Sequence, residues 1–289
     1  MTFREAERIF TDSLTPVYDM REAASLAWLS ISHICKIERA EYLNLKDTDI
    51  PSDKYESLLN ILGELKTGKP LQYIIGETEF YGLNFKVNPS VLIPRPETEE
   101  LVEWILSDVR NSKTSIEGLK IIDIGTGSGC IPISLKKNLP EAQLYALDIS
   151  PEALDVSKQN AATNKTRMHF IQDNILNPVS RELRDEKFGI IVSNPPYVTD
   201  AEKQQMLPNV LEHEPHLALF VPNDDPLIFY RAIADFALKH SDKNGSLYLE
   251  INENLGEDTV QLLKQMGFKN IELRQDLSGK DRMIKSKVY

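Results

Sequence analysis

The segment Ile121-Ile122-Asp123-Ile124-Gly125-Thr126-Gly127-Ser128-Gly129 restricts the fold of this chain more than any other. An apolar run breaks into alternate glycines and then into a helical stretch, which is the first unit of an open α/β sheet, and the glycines let backbone approach a ligand. After Gly118 the pattern repeats. Short apolar runs at Lys120–Ile124, Gln143–Leu147, Met168–Ile171, Phe188–Val192 and Ser246–Ile251 alternate with helical stretches. That alternation predicts an α/β fold with a mostly parallel, doubly wound, Rossmann-like sheet. Two further runs, near Asn270–Arg274 and Met283–Lys287, lie too close together for a crossover helix and are expected as an antiparallel hairpin at one sheet edge.

Residues 1–75 carry a different period. Apolar residues at Ala23, Leu26, Ala27, Ile31 and Ile34 mark one helical stripe, and Leu58, Leu59, Leu62 and Leu65 another. Breaks at Pro16, Pro51 and Gly68-Lys69-Pro70 divide the stretch into four or five short helices, a small bundle. Between Gly76 and Pro96, Phe80 to Val87 is aromatic and alternating, and Asn88-Pro89 turns the chain into Val91-Leu92-Ile93. This reads as a β-hairpin joining two domains. Helical spacing returns over Glu97–Arg110, so the expected organisation is a helical domain 1–75, a hairpin linker 76–96 and an α/β domain 97–289.

Charge narrows the partners. With 33 Lys plus Arg against 44 Asp plus Glu the formal charge is −11, a field that repels a phosphate backbone and lowers the expectation of a direct DNA substrate. Residues 1–75 hold 9 basic and 12 acidic side chains, so the helical unit is no obvious nucleic-acid binder. No run approaches a membrane span, the N-terminus has acidic residues where a signal peptide needs an apolar run, and Cys35 and Cys130 match no metal spacing. A cytoplasmic protein with two reduced thiols and no metal site is expected. The five histidines show no ligand or triad spacing, and none is assigned to catalysis.

The glycine loop itself selects a ligand class. Its G-x-G-x-G spacing differs from the dinucleotide fingerprint, whose third glycine comes one residue later to seat a pyrophosphate on a helix N-terminus. S-adenosylmethionine carries no phosphate, and Gly125, Thr126, Gly127, Ser128 and Gly129 are the candidate residues of its loop. Asp148 closes the second strand 23 residues after Gly125, where a carboxylate accepts from both ribose hydroxyls. Capping the helix that follows Ser150-Pro151-Glu152 is the competing use of Asp148. Asp173 and Asn174 close the third strand, a position suited to the adenine edge.

Asn194-Pro195-Pro196-Tyr197 follows the strand Phe188–Ser193 at its carboxyl end, where open α/β sheets bind ligands. Each proline fixes φ and lacks an N–H, so the carbonyls of this turn are rigidly aimed and free to accept. A planar substrate NH2 group donates one hydrogen to the Asn194 side-chain oxygen and the other to the Pro195 carbonyl, while Tyr197 stacks on the planar group. Taken alone, Asn-Pro-Pro is a turn after a strand; beside the glycine loop it reads as the reaction site.

Leu92-Ile93-Pro94-Arg95-Pro96-Glu97-Thr98-Glu99, Asp123 to Gly129 and Asn194 to Tyr197 together resemble the HemK/PrmC family of peptide chain release factor glutamine methyltransferases over nearly the whole chain. The resemblance implies a class I methyltransferase fold, S-adenosylmethionine as cofactor and release factors as protein substrates. It further implies N5-methylation of the glutamine in the Gly-Gly-Gln motif, with the helical unit helping to recognise the factor. Gly125, Gly127, Asp148, Asn174 and Asn194 would touch the cofactor, and Asn194 to Tyr197 the glutamine. Pro94 to Thr98 reads equally as cofactor contact or as a proline-framed helix start. Glu212-His213-Glu214-Pro215 with Ala218-Leu219, and Asp276 to Arg282, also look like family loops. The chain departs from the family after Leu249-Glu250-Ile251, where glycine and a nearby Gly-Gln or Gln-Gly are usual and Asn252-Glu253-Asn254-Leu255-Gly256 stands instead. Asn252 can still adopt positive φ there, so the departure bears on that loop and not on the implied activity.

Two rival readings remain at this level. An adenine-N6 or cytosine-N4 DNA methyltransferase needs the same grip on a planar NH2, and a nucleotide-binding regulatory protein can keep the fold without turnover.

Overall fold

The computed structural model describes residues 1–112, 116–206 and 208–288. They fall into two compact units, one comprising Met1–Gly76 with the short helix Pro208–His213, the other running from Glu77 to Met206 and over 214–288.

In the first unit, five helices follow one another: α1 Phe3–Leu14, α2 Met20–Cys35, α3 Arg39–Leu45, α4 Ser52–Leu65 and α5 Leu71–Ile75. Thr2 starts α1 through a capping box, accepting from the Glu5 N–H while the Glu5 carboxylate accepts from the Thr2 N–H. Asp19 caps α2 by accepting from the N–H groups of Arg21 and Glu22. Phe10, Leu14, Ala27, Ile31, Leu58 and Leu65 meet in one core and are almost fully buried. Leu59, counted into the second stripe from its spacing, is instead 43% exposed. Its neighbours Leu58, Ile61, Leu62 and Leu65 already fill the inward face of α4.

The second unit opens with β1 Glu77–Phe80 and β2 Leu83–Lys86, an antiparallel hairpin. Its turn is Tyr81-Gly82, both with positive φ as a two-residue type I′ connection requires. Alternation over Phe80 to Val87 predicts one strand there and a turn at Asn88-Pro89. The left-handed Tyr81 explains the difference, because an aromatic residue is an uncommon choice for that conformation. Residues 87–95 form no strand, although Val91 and Ile93 are buried.

After α6 Pro96–Asn111 comes a seven-stranded sheet, built from β3 Lys120–Ile124, β4 Gln143–Asp148, β5 His169–Gln172, β6 Phe188–Ser193, β9 Ser241–Glu250, β10 Lys269–Gln275 and β11 Asp281–Lys287. Its order is β10-β11-β9-β6-β3-β4-β5, parallel throughout except that β11 runs antiparallel to both neighbours. The mostly parallel sheet with an edge hairpin therefore matches expectation. A further two-stranded parallel sheet, β7 Val198–Thr199 with β8 Phe220–Val221, lies just past the Asn194 turn. The connecting helices are α7 Cys130–Asn138, α8 Pro151–Thr163, α10 Ile228–His240 and α11 Gly256–Gln265, with α9 being Pro208–His213.

Apolar clusters cover both faces of the sheet. Ile122, Ile124, Leu147, Ile191, Leu247 and Leu249 pack on one side, and Ile121, Leu144, Ile190, Val192, Tyr248 and Met283 on the other. Burial on both faces is why these strands read as continuous apolar runs instead of alternating ones. Chain order fixes where ligands go: β3, β4 and β5 step outward in one direction and β6 returns to the other side of β3, so a crevice opens at the carboxyl ends of β3 and β6.

Candidate active site

A cavity of about 500 Å³ occupies that crevice, within the usual range for small-molecule sites. Its walls are the loops that follow β3, β4, β5 and β6, completed by Pro94, Arg95 and Thr98 at the start of α6. Gly125, Thr126, Gly127, Ser128, Asp148, Asp173, Asn174, Asn194, Pro195 and Pro196 all line it.

The glycine loop is shaped by its own backbone. Gly125, Gly127 and Gly129 have φ of 75°, 53° and 80°, a region that side chains rarely adopt. At Gly125 and Gly127 the space around an added Cβ is open, so the requirement is conformational; at Gly129 a Cβ would also collide with Ser157 Oγ. The N–H groups of Gly125 and Thr126 both donate to the Leu147 carbonyl, and Gly127 donates to Asp148 Oδ2 at 2.8 Å. Asn160 of α8, fully buried, donates to the Ser128 carbonyl at 2.9 Å and exchanges two hydrogen bonds with the Lys86 backbone of β2.

Asp148 also accepts from the Ser150 N–H at 3.0 Å. The cap of α8 is Ser150, whose hydroxyl accepts from the Ala153 N–H, so Asp148 is not the cap and its second oxygen serves the loop through Gly127. Burial raises the Asp148 pKa above the ordinary aspartate value, opposed by the N–H groups it accepts from. Asp173 is committed differently. Its two oxygens accept from Asn174, Val179 and Ser180, tying the loop after β5, while Asn174 Oδ1 accepts from Leu176.

The reaction turn is held from outside its own segment. Asn194 Nδ2 donates to Thr98 Oγ1 at 3.2 Å, and Thr98 donates to Glu250 Oε2 at 2.7 Å. Tyr197 OH donates to the second oxygen, Glu250 Oε1, at 3.3 Å. The Tyr197 ring packs against the sheet cluster and is not part of the cavity wall, whereas stacking on a substrate was expected of it. Asn252 Nδ2 donates to the Tyr197 carbonyl at 3.1 Å and to Glu202, which also accepts from Thr199 and Asn254. Asn252 is buried and does not use the left-handed conformation open to it, and the loop that departs from the family pattern clamps the Asn194 turn.

Arg95 and Glu214 close one rim, with Nη2 to Oε1 at 2.6 Å and the glutamate side chain almost fully buried. Two segments singled out in the sequence thus meet. Pro96 is the first residue of α6 and Arg95 its cap, so the proline-framed helix start and the cavity contact are the same feature. Arg282 holds the other conspicuous loop through Asp276 and Glu253.

Comparison with known proteins agrees with this geometry. Residues 104–217 match the methyltransferase small domain and residues 5–76 the PrmC N-terminal domain. A release factor glutamine methyltransferase of Flavobacterium psychrophilum is 47% identical over 96% of this chain and 95% of its own length, and one of Bacteroides thetaiotaomicron is 40% identical over 94% and 95%. This chain belongs to the release factor glutamine methyltransferase family. Among solved structures, a Thermus thermophilus 16S rRNA N2 G1207 methyltransferase in complex with AdoMet and guanosine shares the fold, with a TM-score of 0.51 and 16% identity over 73% of this chain and 49% of that one.

Ten of the twelve residues that the sequence assigns to the site line the cavity of this methyltransferase, and Gly129 and Tyr197 do not. Glu250, Asn252, Asn160 and Glu202 carry no site assignment from the sequence, and Thr98 enters only within the Pro94 to Thr98 segment. One signal was available: Glu250 is a carboxylate inside the apolar run Ser246–Ile251, where a charge needs a partner. Glu250 is 1% exposed, and burial pushes its pKa up to about 7. Asp123, at the base of the glycine loop, is fully buried and pushed up to about 7 by the same cause. The Thr126 hydroxyl lies near enough to favour its ionised form, but neither group finds a hydrogen-bond partner among the described residues.

Proposed function

We propose that the protein transfers a methyl group from S-adenosylmethionine to the side-chain amide nitrogen of the glutamine in the Gly-Gly-Gln motif of peptide chain release factors, in the cytoplasm. The observation that carries this reading is the placement of Asn194 and Pro195 on the wall of one cavity with the glycine loop.

The cavity fits such a cofactor by charge as well as by size. Among the described residues its charged lining is three carboxylates, Asp148, Glu152 and Asp173, against the single Arg95. That balance suits a ligand bearing a sulfonium and an amine and opposes a polyphosphate. When bound, S-adenosylmethionine supplies a methyl group that is already electrophilic. Gly125 to Gly129 would hold it by backbone approach, Asp148 by its ribose hydroxyls, and the loop braced by Asp173, with Asn174, by its adenine.

The residues of the turn have the harder task. An amide nitrogen is a poor nucleophile because its lone pair is delocalised. Asn194 Oδ1 and the Pro195 carbonyl accept the two N–H hydrogens of the glutamine, favouring the positive charge that develops as the nitrogen–carbon bond forms. They also hold the nitrogen in line for transfer. One of those two protons then leaves for solvent. Pro196 keeps the carbonyl of Pro195 fixed, and Tyr197 anchors the turn through Glu250 and Asn252.

The helical unit is proposed to recognise the folded factor. A DNA base is the less favoured occupant, given the acidic lining and the overall charge of −11. Incubation of a release factor with protein and S-adenosylmethionine, followed by peptide mass mapping, tests the reading. One methyl increment on the Gly-Gly-Gln peptide is expected. A methyl group elsewhere, or none with measurable cofactor binding, would overturn it.

A further inference from the structure

The chain of hydrogen bonds behind Asn194 has a direction, and the direction selects an atom. Glu250, when ionised, has no proton to give, so Thr98 must donate to Oε2. The Thr98 oxygen is then left with lone pairs only, and Asn194 can meet it only with its NH2 group. Oδ1 becomes the amide atom available to the cavity. If the carboxyl carries a proton instead, Thr98 is free to accept from Glu250 and to donate toward Asn194. The reversed amide then presents NH2 where a substrate NH2 must bind, and two donors cannot pair.

We propose that Glu250, acting through Thr98, fixes which atom of the Asn194 amide faces the substrate, so that Oδ1 accepts and Nδ2 does not. This rests on the proposed amide methylation and names a positioning residue for it. Glu250 touches neither substrate nor cofactor in this role. Three elements distant in sequence carry it, the start of α6, the end of β6 and the end of β9, with partners 96 and 152 residues apart.

The same arrangement makes the site sensitive to pH near neutrality. Groups of both signs act on Glu250. Burial raises its pKa most, the Thr98 and Tyr197 hydroxyls and the Arg282 guanidinium on β11 lower it, and Glu97 on α6 raises it. Tyr230 on α10 and the buried Cys130 at the start of α7 are close enough to feel its charge. The balance leaves Glu250 at about 7, so the accepting form of the site is populated as pH rises through that value and lost as it falls.

Single-turnover methylation of an intact release factor, followed from about pH 6 to 8, tests the assignment. The wild-type rate is expected to rise through one inflection near neutrality. Glu250→Gln should flatten the profile, because its amide does not titrate. Thr98→Val should lower the rate about tenfold with cofactor affinity within about twofold, and Thr98→Ser should restore it. An unchanged inflection in Glu250→Gln, or a wild-type rate in Thr98→Val, overturns the proposal. A second readout needs no turnover. With carboxyl-labelled glutamate and amide-labelled asparagine, the resonances missing in Glu250→Gln and Asn194→Ala identify the two groups. The Asn194 NH2 signals should move with the midpoint of the Glu250 carboxyl, and signals that stay still across that titration contradict the linkage. Failure of the wild type to methylate any factor would count against the proposed activity, while the resonance titration decides the positioning claim separately.

Discussion

The glycine loop and the Asn194 turn follow neighbouring strands, line one cavity and are built on different principles. The loop is a local device. Its shape comes from three left-handed glycines, and Asp148, which anchors Gly127, lies only 21 residues away. The turn is short and proline-stiffened, but what sets its chemistry comes from far along the chain: Thr98 at 96 residues from Asn194, and Glu250 and Asn252 at 53 and 55 from Tyr197. A binding wall needs a backbone contour, which a few consecutive residues can specify. A reacting wall needs an amide with one atom outward, and only a partner of fixed polarity can impose that.

Substitutions on each wall should separate binding from chemistry. The largest effect is expected at Asn194→Ala, which removes one acceptor of the pair. Turnover should fall by roughly 10²- to 10³-fold, with the cofactor dissociation constant within about tenfold. Parallel rate and calorimetric measurements check it, and equal losses in both would make Asn194 mainly a cofactor ligand. Next, Gly129→Ala places a Cβ against Ser157 in a left-handed backbone. A loss on the order of 1–3 kcal/mol in stability is expected from denaturant unfolding, with weaker cofactor binding in the folded fraction.

Asp123 offers a sharper probe of the loop wall, because its pKa lies above the unfolded value, at about 7. Such a group stabilises the fold in its protonated form. That contribution is complete below the ordinary aspartate range and is lost as pH rises through about 7. Asp123→Asn should therefore gain on the wild type as pH increases, its Tm advantage widening by a few degrees across the interval. A constant difference at all pH values would remove the buried charge from the account. The smallest effect is expected for Asp148→Ala: about tenfold weaker cofactor binding, near 1.4 kcal/mol, with little change in turnover at saturating cofactor. An unchanged dissociation constant would take Asp148 out of the site.

How much of this was readable in the sequence follows the same division. The strands of the sheet, the edge hairpin, the glycine loop and the proline turn are written in consecutive residues and lie within about two residues of their expected bounds, except that β9 begins at Ser241, ahead of the expected Ser246. The β1–β2 turn was misplaced, because Tyr81 takes a left-handed conformation that its side chain does not advertise while Asn88-Pro89 carries a stronger turn signature. Leu59 was counted into the bundle core by spacing alone, though α4 had already filled its inward face. Thr98 looked like one residue of a helix start and Glu250 like the polar interruption of a strand. Their meeting is a property of the sheet order, which brings β9 beside β6 and sets α6 against β9. The Asn252 loop stands out only as a departure from the family pattern, and its hydrogen bond to the Tyr197 carbonyl is visible only in the fold.

The central claim is the identity of the methylated residue. Labelled methyl from S-adenosylmethionine should be offered in parallel to an intact release factor, to the same factor with the Gly-Gly-Gln glutamine replaced, and to duplex DNA. The account predicts label on the intact factor alone. Equal labelling of the glutamine-less factor, or label on DNA, would contradict it.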